Sequence, residues 1–468
     1  MKRTFQIVIL LVIFFGAVSM PAGFAQKETK ETEALLTGYL RPSIFAITMV
    51  MVHDVVDPPA ASRYYSYIML TAYDLVAQHD PAIVPPGAFI QHYPATRIAA
   101  GGGADGHSSE GLGGSDTVYD YRIAAAYSIL ETGRQMLPSG YMLEDEEKKF
   151  VQRLQDQHIP QSLIDRSVAV ARAATAKVIG WSRSDGYNRL SALLRYSPLK
   201  NDSSWYPTPP AYMEAVQPHW RTIRPMIIDS SDQFMPPRLT PFSMDKNSDF
   251  YRLVMEVYTI SKDTGAQSLY ERTIAGFWDC NPFAVTTSGH MAIGLKKISP
   301  GGHWMDIAGN AALVAHIDFD HTIEVETLVA ATLMDAFIAC WEAKYKTNRI
   351  RPETYIDRYI DPLWRPYLQT PPFPEYSSGH SVVSTASAEV LTYLLGERLD
   401  YTDNAEELFD IQPRTFHSFR EAAAEAAISR LYGGIHYRDG VTSGQTQGKN
   451  LGDYIVEQLR KAGVRPLR

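Results

Sequence analysis

The chain has 468 residues, 45% of them hydrophobic and 21% charged, with a formal net charge of −8. That composition is ordinary for a globular protein with a large core. The acidic balance, without a basic cluster, argues against nucleic acid and against an anionic membrane surface as partners.

Lys2 and Arg3 precede an apolar run from Ile7 to Val18, and Gly23-Phe24-Ala25 then offers small residues. This reads as a secretory signal over 1–25, cut before Gln26; the run is short for a membrane anchor. Its removal takes the formal charge from −8 to −10, since Lys2 and Arg3 are its only charges. No later segment has eighteen uninterrupted apolar residues. The expectation is therefore an exported protein, periplasmic or extracellular, with no membrane span in its mature form. Cys280 and Cys340 are the only cysteines; a disulfide in an oxidising compartment and two buried thiols both stay open.

Apolar residues recur at helical spacing from Ser43 to Val56, and Asp57-Pro58-Pro59 ends the run. Further helices are predicted over Arg63–Gln78, Thr117–Gln135, Glu144–Gln157 and Ser162–Arg183. Gly101–Asp116 is rich in glycine and serine but lacks a phosphate-loop ending, so it reads as a surface loop. From Tyr196 to Ser243 the composition shifts to Pro, Trp, Ser and Asp, a stretch too long for a simple linker. It is expected to wrap the surface and form the rim of a site. Helices resume near Lys246 and at Gln267–Trp278, Gly301–Phe319 and Glu324–Lys346, then at His380–Leu395 and from Phe416 or Ser418 to Tyr432. Strand patterns are scarce. The picture is all-α, with a helical half over 26–245 and a second over 246–468.

Within His316-Ile317-Asp318-Phe319-Asp320-His321, His316 and Asp320 would share a helical face and suggest a metal site. Nothing nearby completes a coordination sphere, and structural hydrogen bonding is the expected use.

The chemistry converges further on. Lys344 is followed by Arg351-Pro352; then come Ser378-Gly379-His380 at a predicted helix start, and finally Ser429-Arg430 with His436 after a glycine pair. Singly, these residues have ordinary readings as solvated charges, ion-pair partners or core histidines. Together they supply three cations, a hydroxyl, helix N-terminal N–H groups and two histidines, an inventory that suits a tetrahedral oxyanion.

Lys, six residues, Arg-Pro; Ser-Gly-His; Ser-Arg, five residues, His: this order and spacing resembles the superfamily of vanadium haloperoxidases and type 2 phosphatidic acid phosphatases. The resemblance implies an all-α fold of two helical bundles with the site at one end of the second. It implies that Lys344, Arg351, Ser378, Gly379 and Arg430 hold the oxygens of vanadate or phosphate. His436 would be the axial ligand to vanadium, or the nucleophile of a phosphatase, and His380 the general acid/base. Trp341 and Phe373 match aromatic positions that line the haloperoxidase pocket.

Two departures stand out. Ser377 replaces the proline usual before Ser-Gly-His, and the Asp usual four residues after the axial His is Gly440 here, with Asp439 one place early. Three functions follow. The first is a haloperoxidase using vanadate, hydrogen peroxide and a halide. The second is an acid phosphatase acting on phosphomonoesters with no cofactor. The third is an oxyanion-binding protein without catalysis, favoured only by the shifted Asp439.

Overall fold

In the computed structural model, which describes residues 22–94, 118–209, 211–288 and 291–468, helices follow the apolar spacing along most of the chain. Most of the expected export signal and the Gly101–Asp116 loop lie outside the described residues. The first half holds α1 (Ala22–His53), α2 (Pro58–Ala77), α3 (Tyr121–Met136), α4 (Glu144–Asp156) and α5 (Gln161–Ser182). The Asp57-Pro58-Pro59 passage starts α2 as well as ending the previous run. Asp57 accepts the Ala60 N–H at 2.9 Å, and the prolines occupy the first turn, where no N–H is needed.

Within α1, Glu31–His53 is long and apolar enough to cross a bilayer by length and composition. In the folded chain 56% of its apolar window is buried, with Leu36, Leu40, Ile44 and Ile47 in the same core as Ile129 and Leu130 of α3.

Among its described residues the 196–243 stretch carries only a short 3-10 turn at Trp220–Thr222, and it packs on both halves, Gln217 donating to Asp57 and Arg224 to Ser184. Its anchor is buried Asp335, whose carboxylate accepts the N–H groups of Met226 and Ile227 at 2.7 Å and Ile228 at 2.9 Å.

The second half comprises α6 (Asp249–Lys262), α7 (Ala266–Phe277), the strands β1 (Ala284–Ser288) and β2 (Met291–Leu295), α8 (Pro300–Val314), α9 (Phe319–Thr347), α10 (Pro352–Tyr359), α11 (Gly379–Leu395), β3 (Tyr401–Asp403), β4 (Arg414–Phe416), α12 (Phe419–Tyr432) and α13 (Arg438–Ala462). Each strand pair is an antiparallel two-stranded sheet, Ala284 opposite Leu295 and Tyr401 opposite Phe416. The fold is all-α apart from these two.

The chain is organised around α9, which is buried continuously from Leu328 to Lys344, as expected of a helix apolar on all sides. It packs on α2 closely enough for Ser66 Oγ to donate to the Ala330 carbonyl at 2.6 Å. One apolar cluster runs from Leu36 to Val464, through helices of both halves.

Two sequence expectations are corrected. His316 and Asp320 do not share a helix: α8 ends at Val314, His316 is left-handed (φ 55°), and α9 begins at Phe319. Asp318 caps α9 by accepting the His321 N–H at 2.9 Å, and Asp320 accepts from Tyr121 at 2.7 Å, so the hydrogen-bonding reading stands. The second correction is α13, which the sequence reading did not contain. Its Gly440, Gly444, Gly448 and Gly452 recur every fourth residue and form one stripe. A Cβ at Gly444 would lie 2.8 Å from Ser381 Cβ, and one at Gly448 2.4 Å from the Val382 carbonyl oxygen. Only a bare backbone lets α13 lie this close to α11, and that contact fixes the start of α11.

Candidate active site

Ser378 caps α11, its Oγ facing the Ser381 N–H, and its own N–H is fixed by the Gly440 carbonyl at 3.0 Å. Gly379 and His380 then head the helix, where the first N–H groups have no intrahelical acceptor. Lys344, in the last turn of α9, is fully buried beneath this start. Its Nζ donates to the carbonyls of Pro374, Glu375 and Ser377, which holds the proline-rich 371–377 turn in place. With all three protons engaged, it offers an anion charge rather than a hydrogen bond. Trp341 stands one turn earlier on α9, its ring 5.0 Å from that of Phe373; its indole N–H donates to Val216 of the wrapping segment at 3.1 Å.

Arg351, buried at the start of α10, donates from Nε to the Phe373 carbonyl and from Nη1 to the Ile435 carbonyl. Nη1 also lies 3.1 Å from His436 Nε2. Arg430, near the end of α12, donates to the Trp278 carbonyl at 2.9 Å. Cys280, Trp341, Phe373, His380, Arg430 and His436 line one small cavity. All nine site residues inferred from the sequence are thus brought to one end of α9 and α11. A roomier pocket between α1 and α8, with Arg41, Thr48, Met305 and Glu326, lacks such a convergence of cations and histidines.

The imidazole of His436 is oriented by Glu375, a residue for which the sequence reading had no role. Glu375 Oε1 accepts from His436 Nδ1 at 2.8 Å and from the Tyr437 N–H at 3.2 Å. A carboxylate at Nδ1 places the ring proton there and leaves the Nε2 lone pair facing Arg351. Asp439 does not touch the ring. It pairs bidentately with Arg349 at 2.8 and 2.9 Å, and Arg349 also reaches Glu375 Oε2 at 3.2 Å. A Cβ at Gly440 would fall 2.2 Å from Glu375 Oε1, so the glutamate fills the space that a side chain at that place would need.

Charge in this pocket is unbalanced. Four buried cations, Lys344, Arg349, Arg351 and Arg430, stand against Glu375, Asp439 and, near Arg430, Asp279, and Arg349 engages the first two carboxylates. Burial pushes the Lys344 ammonium down to about 7 and Arg351 down to about 10. Burial first, then neighbouring cations, holds His380 and His436 well below the usual histidine range. Arg351 Nη2, Arg430 Nε and His380 Nε2 are buried with no hydrogen-bond partner among the described residues. The orphaned guanidinium donors of Arg351 and Arg430 beside surplus positive charge fit a multiply oxygenated anion.

Residues 324–463 match the family model for the second helical-bundle domain of VCPO. The chain superposes on the crystal structure of the first bacterial vanadium-dependent iodoperoxidase with a TM-score of 0.80 and 36% identity, covering 90% of this chain and 96% of that one. The chain belongs to the vanadium haloperoxidase family. A bacterial vanadium-dependent chloroperoxidase is also similar in its holo form, with a TM-score of 0.61, 16% identity and coverage of 88% and 93%; at that identity the likeness is one of fold. Its apo form gives a TM-score of 0.60. No curated protein matches the chain. Family membership accounts for the all-α architecture and for the order of the three motifs. In this pocket Glu375 stands at His436, where the resemblance leads one to look for an aspartate on α13.

Proposed function

We propose that this chain is an exported haloperoxidase that uses bound vanadate and hydrogen peroxide to oxidise a halide, with iodide the preferred one. The observation that carries this reading is the unneutralised cation pocket around His436, in a chain 36% identical to a bacterial iodoperoxidase over nearly its full length. Vanadate, when bound, supplies Lewis-acid activation of peroxide. The protein's part is to hold the anion and handle protons. His436 Nε2, kept in its tautomer by Glu375, would be the residue that bonds the vanadate. Arg351, Arg430, the Ser378 hydroxyl and the Gly379 N–H would hold the anion's oxygens, while Lys344 would contribute charge. His380, neutral because burial and its cationic neighbours depress it, accepts a proton from incoming peroxide and returns one to the departing oxygen. The balanced reaction consumes peroxide, halide and a proton, and gives hypohalous acid and water. Trp341 and Phe373 form an apolar wall that excludes bulk water.

The preference for iodide rests on the 36%-identical relative; the 16% likeness to the chloroperoxidase carries fold alone. Export rests on the 1–25 segment, and the absence of a span in the mature protein on the core packing of α1.

A paired assay tests the reading. In one arm, purified protein receives orthovanadate, peroxide and iodide, bromide or chloride; in the other, vanadate-free protein receives p-nitrophenyl phosphate. The expected result is vanadate-dependent halide oxidation, fastest with iodide, and no phosphate release. Phosphate release inhibited by vanadate, with no halide oxidised, would move the chain to the phosphatase reading.

A further inference from the structure

At the pocket wall, of which Cys280 is a part, lies a second polar cluster that the haloperoxidase chemistry does not use. Cys280, from the α7–β1 connection, His303, from the first turn of α8, and Glu406, from the loop after β3, meet in full burial. Cys280 Sγ is 3.2 Å from His303 Nδ1 and 3.7 Å from Glu406 Oε1, and His303 Nδ1 is 3.5 Å from Glu406 Oε1. These three atoms form a near-equilateral triangle. A tetrahedral zinc ion with bonds of about 2.0–2.3 Å has ligand-to-ligand edges of about 3.3–3.6 Å, and each edge of the triangle lies in that range or within about 0.1 Å of it.

The surroundings fit the same use. His303 Nε2 is 2.7 Å from Asp403 Oδ2, an arrangement in which a carboxylate fixes the tautomer and leaves Nδ1 to bind a metal. Trp278 stacks on the imidazole at 4.6 Å and holds its plane. Glu406 Oε2 is fully buried and has no hydrogen-bond partner among the described residues, so hydrogen bonding alone leaves this carboxylate incomplete. Thiolate, imidazole and carboxylate together select a borderline ion over magnesium or calcium.

We propose that Cys280, His303 and Glu406 bind one zinc ion, with Asp403 orienting His303 and a fourth position left for water. Binding releases the thiol proton and ties the α7–β1 connection, α8 and the 404–407 loop together, beside the pocket that Cys280 also lines. The site is independent of the vanadate reading.

The test uses the full chain, free of vanadate and stripped with a chelator. Zinc is added, the protein is gel-filtered, and metal is counted by mass spectrometry; cobalt substitution reports a thiolate-to-metal charge-transfer band. The expected result is one zinc per chain, loss of the cobalt band in Cys280→Ser, and at least tenfold weaker zinc binding in Glu406→Gln. His436→Ala keeps its zinc. Wild-type protein without stoichiometric zinc overturns the proposal, as does equal affinity in Cys280→Ser and Glu406→Gln, or loss of zinc in His436→Ala. Circular dichroism confirms folding, and should Cys280→Ser fail to fold, Glu406→Gln decides alone.

Discussion

Glu375 Oε1 accepts the Nδ1 proton of His436 at 2.8 Å across 61 positions of sequence, and this bond decides which imidazole nitrogen faces the oxyanion pocket. Glu375→Ala removes the orienting carboxylate and leaves the buried Tyr437 N–H short of its acceptor. We expect vanadate affinity, measured by equilibrium dialysis, to fall about 10–100-fold. Gly440→Asp alone clashes with Glu375. In the Glu375→Ala background that space is open, and the aspartate four places after His436 should recover part of the affinity. An unchanged dissociation constant in Glu375→Ala would show that His436 needs no partner.

Asp439 has a different job. Its carboxylate accepts two bonds from Arg349 and one from the Thr240 N–H at 3.2 Å, and Arg349 retains Glu375 when its two are lost. Asp439→Asn should therefore lower stability by about 1–3 kcal/mol in urea unfolding, while vanadate affinity changes less than in Glu375→Ala. The reverse ranking would return Asp439 to the role of orienting residue.

Lys344 links anion binding to pH. Burial depresses its ammonium to about 7, and a bound anion favours the charged form, so the bound value is higher. Between the two values binding takes up a proton, and affinity declines as pH rises above about 7. Sulfate, which does not titrate there, is a suitable probe. Calorimetry at about pH 8.5 in two buffers of different ionisation enthalpy should show proton uptake in the wild type and none in Lys344→Met. Equal uptake in both would place the titrating group elsewhere.

The glycine stripe on α13 makes a packing prediction. Gly448→Ala sets a Cβ 2.4 Å from the Val382 carbonyl oxygen, so α11 and α13 must separate, at a cost of about 1–3 kcal/mol. Gly180 on α5 faces open space, and Gly180→Ala should be neutral or stabilising by up to about 1 kcal/mol. Chemical denaturation of the two variants checks the contrast.

This stripe also shows where sequence reasoning stopped. Lys344, Arg351, His380, Arg430 and His436 are legible because one spacing fixes them relative to helix ends, and α9 because its apolar run is long. Helix α13 was not, since glycines every four residues weaken local helix propensity and gain their meaning only from contact with α11. Glu375 escaped for a related reason. A carboxylate in a proline-rich turn carries no periodic signal, and its partner lies 61 positions away. The resemblance drew attention to Asp439, whereas the bond comes from Glu375, whose carboxylate fills the space beside Gly440. Lys344 was expected at the pocket, but that its three protons serve the turn that presents Ser378 only coordinates reveal.

The most direct test of the account is a crystal of the vanadate-soaked protein examined at the vanadium absorption edge. The account predicts one anomalous peak bonded to His436 Nε2, with oxygens facing Arg351, Arg430, Ser378 and the Gly379 N–H, and no peak in His436→Ala. Vanadium bound away from His436, or bound equally well in His436→Ala, would contradict it.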